Sequence, residues 1–356
     1  MSRIQAVGKP WALGIDVHDC KTSREVMEKA NLDFIVKKCE LSARMPFTIG
    51  GDNTITENDE LNGVFAHDGF IFRNCPNAYA TYRTDKNIPL GLVKSKYEVV
   101  QNIDAFNFFD EAIGKDKALW EYAGCLGYGE QIYVAAKLPV TSEVNKDPIE
   151  NYLVFSNSHD GSSSVIIMFT PVRVFCTNCL NSALDNADSY IRIRHTESAG
   201  NKLHKGAEIL RIACEYAKSS QELYSALERV NMRDDAVLAY ICSLFLSDKE
   251  HTSLLEYDNQ RGYKRLLNLE YVILEQTKIS VRKVNQIKEV YSYYHEGVGQ
   301  SNIVGTAWGA YNAITGYYSN VANLDGDKRF NSLLFGTARN VMQKALVSAY
   351  DIAKAA

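Results

Sequence analysis

Net positive charge, long apolar runs and proline are what this chain has least of. Lys and Arg number 39 against 43 Asp and Glu, a formal net charge of −4, so no global excess of cations draws duplex nucleic acid by bulk charge, although a local basic stripe can still do so. No run approaches the ~20 apolar residues of a membrane-spanning helix. The opening MSRIQAVGKPWALGIDV lacks the basic, apolar and small-residue segments of a secretory leader. The expectation is a cytoplasmic chain with no membrane partner. Seven prolines, with 46% hydrophobic and 23% charged residues, exclude a disordered or fibrous polymer. Eight cysteines, at 20, 39, 75, 125, 176, 179, 214 and 242, are too scattered for the disulfide framework of a small secreted domain, and most are expected to be reduced and buried. Tryptophan is scarce, three against 21 tyrosines. Tyrosine suits half-wet surfaces such as sheet faces, subunit contacts and base-stacking platforms.

The length of 356 residues allows two or three cooperating regions. Residues 1–60 mix short apolar pieces with the polar stretch TIGGDNTITENDE and read as an N-terminal arm or loosely built lead-in. Residues 61–200 carry strand-like runs: VFAHDGFIF, AYATYRT, IPLGLVKSKYEVV, LWEYAGCLGYG, QIYVAAKLPV, NYLVFSNS, SVIIMFTPVRVF and YIRIRHT. Asp85-Lys86-Asn87 fits a hairpin connection. Between them, Ile103, Phe106, Phe109 and Ile113 form a helical stripe, and CTNCLNSALDNA also has helical spacing. Strands this close, without crossover helices, pair antiparallel. Residues 201–356 repeat apolar side chains at three- and four-residue intervals and read as helices. The last two of these helices are joined by the polar turn NLDGDKR. The fold class is therefore α+β: an antiparallel sheet of hairpins with packed helices, then a mainly helical C-terminal region.

The densest chemistry lies in His159-Asp160-Gly161-Ser162-Ser163-Ser164. Successive strand side chains face opposite ways, so these neighbours do not assemble a nucleophilic triad without an irregular loop. A phosphate cradle is chemically better, because Gly161 permits positive φ and serine amides and hydroxyls donate, yet the Walker lysine is missing. The plain alternative is a hairpin turn built on Asp-Gly. Cys176 and Cys179 have the spacing of half a zinc site or a redox pair, but no second half follows, and two small buried apolar residues is the simpler reading. Asp325-Gly326-Asp327 lacks the remaining ligands of a calcium loop. No metal or cofactor site emerges, and the acids form no recognisable pair for proton transfer.

Cations give the sharper signal. In Ile191-Arg192-Ile193-Arg194, period-two alternation sends both arginines to one face and both isoleucines to the other. Arg173 joins that stripe if its strand is a neighbour. Lys94 and Lys96 repeat the theme, with Tyr97 on the opposite face. Guanidinium forks match phosphate geometry. The bland alternative is a solvated sheet face with ion pairs to Glu197 or Asp188.

From about residue 80 onward, YRTDKNIPLGLVKSKYEVVQNIDAFNFFDEAI, GCLGYGEQIYVAAKLP, SHDGSS followed by TPVRVFCTN, IRIRHT and GTAWGAYNAITGYY resemble the phage/plasmid-like family, whose shared domain is labelled only as one of unknown function. The resemblance implies a mobile-element origin in a bacterial host and supplies no catalytic residues. By fold analogy, a curved antiparallel sheet of hairpins with a basic face resembles single-strand annealing proteins of the Rad52 type. The resulting expectation is a non-catalytic, homo-oligomeric protein that binds single-stranded nucleic acid. Lys94, Lys96, Arg173, Arg192 and Arg194 would meet phosphates, and His159, Ser162 and Ser163 would add donors. The alternatives are an assembly protein of the element, or a nucleotide-processing enzyme using a pocket beside the His159–Ser164 loop.

Overall fold

Hairpins organise the first half of the chain into two antiparallel sheets. A computed structural model describes residues 8–46, 55, 59–60, 63–113, 119–173, 176–177, 190–196, 206–257, 262–268 and 271–356. In chain order the strands are β1 (Ile15–Asp16), β2 (Val36–Pro46), β3 (Phe65–His67), β4 (Phe70–Arg83), β5 (Ile88–Val93), β6 (Leu119–Leu126), β7 (Gln131–Val144), β8 (Asp147–Ser158), β9 (Val165–Arg173), β10 (Cys176–Thr177) and β11 (Tyr190–Ile193). The larger sheet runs β1-β6-β7-β8-β9-β10, with β11 also on β9; the smaller runs β2-β4-β3, with β5 also on β4.

The turns explain the pairing. Asp68 and Gly69, at φ 47° and 75°, form a two-residue turn that folds VFAHDGFIF into the hairpin β3–β4 rather than one strand. Asn145 and Lys146, at φ 49° and 64°, do the same between β7 and β8 without any glycine. The expected connection at Asp85-Lys86-Asn87 joins β4 to β5, with Asn87 at φ 51°. Pro76, which has no N–H to offer the ladder, falls in an irregular stretch of β4 where the pairing with β2 jumps from Tyr79 to Asn74.

Among the described residues eleven α-helices follow or interrupt the strands: α1 (Ser23–Lys29), α2 (Asn102–Ile113), α3 (Gly206–Arg229), α4 (Asp234–Phe245), α5 (Asp248–Tyr257), α6 (Gly262–Leu267), α7 (Tyr271–Thr277), α8 (Val281–Glu296), α9 (Ala307–Asn320), α10 (Gly326–Leu334) and α11 (Thr337–Ala355). Both faces of the larger sheet are covered, so every residue of β9 is buried. On one face Phe169 stacks on Tyr216 of α3, and α2 lies across β8. On the other, Tyr133 meets Phe330 of α10 and Tyr152 meets Trp11. Among the described residues no helix is long and apolar enough to cross a membrane.

Four expectations change. Residues 8–46 are built into both sheets rather than standing off as a loose arm: Trp11 is 0% exposed and its indole N–H donates to Glu121 Oε2 at 3.1 Å. In helix α2 Phe106 lies inward as expected, beside Asn102 and Ala105, whereas Ile103 is 42% exposed; the burial of Phe109 and Ile113 lies outside what is described. The anchor is polar: Asn102 Nδ2 donates to the Leu32 carbonyl at 2.8 Å, which fixes the helix by its first side chain. Cys176–Thr177 forms strand rather than helix, and Cys179 lies outside the described residues. NLDGDKR is not only a turn, because α10 begins at Gly326, and the following run breaks at Phe335 and Gly336 before α11.

Candidate functional site

Four segments far apart in sequence meet around a cleft of about 710 Å³. Its wall comprises Lys96 and Tyr97, Gly161 to Ser164, Arg192 and Arg194 to Thr196, and Asn331 with Phe335, over a floor of Gln131 and Ile166. Three of these side chains are cationic, and among the described residues no carboxylate lines the cleft.

Each segment is fixed by its own contacts. β5 stops at Val93, and Lys94 to Tyr97 form a turn closed by the Tyr97 N–H on the Lys94 carbonyl at 3.0 Å. That turn is pinned from outside: Asn77 Oδ1 accepts the Ser95 N–H at 3.0 Å, and Lys38 Nζ donates to the Ser95 and Tyr97 carbonyls at 2.8 and 2.9 Å. The Tyr97 hydroxyl donates to the Ser158 carbonyl at 2.8 Å, and its ring stacks on His195 at 4.6 Å. Because the strand ends early, Lys96 and Tyr97 line the same cleft instead of facing apart. Lys94 is exposed but not part of the lining.

β11 behaves as period two requires. Ile193 is buried while Arg192 and Arg194 are exposed, and His195 then tucks inward. The strand pairs with β9 at Val165 to Met168. Arg173 lies at the far end of β9, so it cannot join the pair. Its side chain is 3% exposed, ion-paired with Asp147, and donates from Nη2 to the Gly299 carbonyl at 2.5 Å. The expected phosphate role for Arg173 is therefore replaced by a buried structural pair.

The His159 to Ser164 loop is a self-bonded turn. Asp160 Oδ1 accepts from the Ser162 N–H at 2.9 Å and the Ser158 hydroxyl at 2.5 Å, and the Ser163 N–H donates to Ser158 Oγ at 3.3 Å. Two of the serine amides that would have cradled a phosphate, those of Ser162 and Ser163, are thus already engaged, and serine side chains line the cleft. Its seat is a close approach of backbones: a Cβ on Gly91 would lie 2.3 Å from Asp160 Cα.

The two histidines take different places. His159 is buried, with Nε2 2.7 Å from Asn102 Oδ1. Asn102 spends its N–H group on Leu32, so its oxygen faces the ring and His159 must donate from Nε2. Nδ1 is then a bare lone pair with no partner among the described residues, and burial lowers the pKa to about 3. His159 is a neutral clasp between β8 and α2, not a donor in the cleft. His195 lines the cleft, is 7% exposed, and holds Nδ1 3.1 Å from the Glu98 carbonyl. A carbonyl only accepts, so Nδ1 carries the proton and Nε2 the lone pair. Burial lowers this pKa too.

A second polar cluster was not legible from spacing. Glu121 Oε1 meets Lys9 Nζ at 2.6 Å and the Tyr152 hydroxyl at 2.9 Å. Glu150 meets Lys137 at 2.5 Å, Lys9 at 3.0 Å and Tyr152 at 2.7 Å. Burial pushes the Glu150 carboxyl upward, but hydrogen bonds from Lys137, Tyr152 and Lys9 outweigh it and hold the pKa at about 2. Two lysines balance two glutamates, and Trp11 joins through Glu121, so the cluster clasps the N-terminal segment onto the sheet.

The family model for a domain of unknown function, DUF932, matches residues 89–350, a span that includes all four cleft segments. No curated protein and no solved structure matches the chain significantly.

Proposed function

The chain belongs to the DUF932 family, a family defined by a domain of unknown function, and from that premise we propose that it binds single-stranded nucleic acid in the cleft. The observation that carries the reading is the gathering of Lys96, Arg192 and Arg194 with serine hydroxyls and the rings of Tyr97 and Phe335, with no carboxylate among the described lining residues. Cationic side chains attract phosphate, and aromatic rings beside them add stacking surface for bases. Residues two apart on a strand lie about 7 Å from each other, so Arg192 and Arg194 take successive phosphates. The cleft volume falls within the ~300–1,000 Å³ of ligand pockets. A net charge of −4 disfavours a duplex held across a broad face.

The proposal extends to cytoplasmic action for a phage or plasmid, supported by the resemblance described above. It also includes a homo-oligomer, supported by the exposed apolar side chains Met45 and Phe65 on the smaller sheet. A nucleotide-processing enzyme is the second reading, favoured by the cleft lying beside the serine loop. Binding ranks first because His159, the base that reading needs, is sealed and neutral.

Anisotropy of a labelled oligonucleotide tests the binding reading. Three cations on single-strand phosphates give a log–log salt slope of about −2, roughly a 20-fold affinity loss from 50 to 200 mM salt. Arg192→Ala with Arg194→Ala reduces the slope to about −0.7. Absence of binding at 50 mM salt, or an unchanged slope in the double variant, refutes it.

A further inference from the structure

The distal half of the smaller sheet carries an aromatic ledge outside the cleft. Residues directly opposite each other share a face, so the register of β2, β4 and β3 places Arg44, Phe72 and Phe65 in one row across three strands, with Phe70 and His67 in the next. The rings are stacked: Phe65 and Phe72 lie 4.8 Å apart and 4° from parallel, and the Arg44 guanidinium sits 3.5 Å from the centre of the Phe70 ring. The stack ends on Phe65, which is 50% exposed, whereas Ile71 on the opposite face is 8% exposed. Met45 lies opposite Ile71 and belongs to that other face. A ring left open at the end of a stack offers its face to the next flat π system, and a nucleobase is one whatever its identity.

The same face leads back to the cleft. Lys38 donates from it to the Ser95 and Tyr97 carbonyls, in the turn that brings Lys96 to the cleft wall. Glu40, two positions on, accepts from Asn74 Nδ2 at 2.9 Å, and Ser42 Oγ donates to Asn74 Oδ1 at 2.6 Å, beside Arg44. The Glu40 carboxylate is thereby engaged, and Arg44 has no carboxylate partner among the described residues, which leaves a cation beside the rings for a phosphate. From Asn77, which holds the cleft turn through Ser95, to Phe72 is at most ~17 Å of strand. A single strand covers that with about five nucleotides at a rise of ~3.4 Å. Resting on the nucleic-acid reading above, we infer that the face of Arg44, Phe65 and Phe72 is a second station for the same single strand, where a base stacks on Phe65 while Arg44 meets a phosphate. Strands β2, β3 and β4 all precede residue 89, where the family match begins, so this station lies outside the matched span.

The test measures anisotropy of two labelled strands of about 16 nucleotides and equal charge, oligo(dT) and the same deoxyribose-phosphate backbone without bases. The full chain is compared as wild type, Phe65→Ala, Phe65→Trp and Arg44→Ala, with a thermal melt and a native mass for each. Phe65→Ala is expected to weaken oligo(dT) binding about ten-fold, the loss of stacking for one base, and to leave the base-free strand unchanged. Phe65→Trp restores oligo(dT) affinity, and its fluorescence is quenched as oligo(dT) binds, a signal that the buried Trp11, Trp120 and Trp308 do not give. Arg44→Ala makes the log–log salt slope shallower by about 0.7 on both strands. Equal losses on both strands with Phe65→Ala, no loss on either, or an unchanged slope with Arg44→Ala overturn the inference while leaving the cleft reading standing. A changed native mass of Phe65→Ala at unchanged oligo(dT) affinity assigns the face to a second copy of the chain and overturns it as well. If wild type binds neither strand at low salt, the nucleic-acid reading itself falls and this inference falls with it.

Discussion

The clasp between His159 and Asn102 predicts a specific dependence of stability on pH. In the folded chain the ring is buried and donates from Nε2, and its pKa is lowered to about 3. In the unfolded chain a histidine titrates near 6.5. The folded value lies below the unfolded one, so the contribution is fully present above pH ~6.5 and is lost as pH falls, because only the unfolded state takes up the proton. At pH 5 the difference is about 1.5 pH units at ~1.36 kcal/mol each, or roughly 2 kcal/mol. Glu150, held at about 2 by its hydrogen bonds, adds its own loss only at more acid pH. His195, also lowered by burial, steepens the same window. The assay is urea unfolding followed by tryptophan fluorescence at pH 7.5 and 5.0, in wild type and in His159→Gln. Glutamine places an N–H near the position of Nε2 but does not titrate. The variant is expected to lose about 2 kcal/mol less than wild type between the two pH values. Equal losses would show that His159 is not the titrating group and that the clasp is wrongly assigned.

Other perturbations separate structure from binding. Arg173→Ala removes the partner of a mostly buried Asp147 and is expected to cost about 3 kcal/mol in denaturant unfolding, yet leave oligonucleotide affinity of the folded protein unchanged. A matching loss of affinity would return Arg173 to the binding face. Gly91→Ala drives a methyl into Asp160 backbone at 2.3 Å, which no side-chain rotation relieves. It is expected to destabilise by about 1–3 kcal/mol and to weaken binding as the serine loop moves, whereas wild-type behaviour in both assays would deny that contact. Asp160→Asn keeps the acceptor for Ser162 and Ser158 but removes a negative charge beside the cleft. Binding at low salt should tighten roughly two-fold, the size of one unit charge at about 10 Å in water, with the gain disappearing at high salt, and a loss of affinity instead would argue that the charge itself holds the loop.

The strands were legible because alternation and turn residues are local. Arg192 and Arg194 face the same way, as two-residue periodicity demands, and Asp85-Lys86-Asn87 turns the chain as its composition requires. Dipeptide chemistry misled where context chose among its options. Asp68-Gly69 makes a two-residue turn, whereas Asp160-Gly161 sits in a longer loop whose carboxylate caps the following amide. The turn at Asn145-Lys146 lacks the glycine that would have announced it and is tolerated because Asn and Lys both accept positive φ here. Helix α2 had a readable period, and Phe106 is buried as that period requires; Ile103 is left outside because the buried amide of Asn102, hydrogen-bonded to Leu32 and His159, takes the inward position at the start of the helix.

The cleft shows where local reasoning stops. Its cations and serines were identified one segment at a time, but their joint presence depends on β11 pairing with the start of β9 and on the β5 strand ending at Val93. Extending that strand to residue 100 put Tyr97 on the wrong face. Phe335 looked like the interior of one long amphipathic helix, and only the break before α11 brings it to the cleft. His195 carried no signal at all, since a histidine after a strand is chemically silent until its two nitrogens are separated by a carbonyl on one side and nothing on the other. Residue identity thus reveals which groups are able to meet a phosphate, whereas long-range pairing decides which of them do. By that criterion Arg173 and Arg192, equivalent as sequence, part company by position: one lies at the far end of β9 against Asp147 and the other lines the cleft.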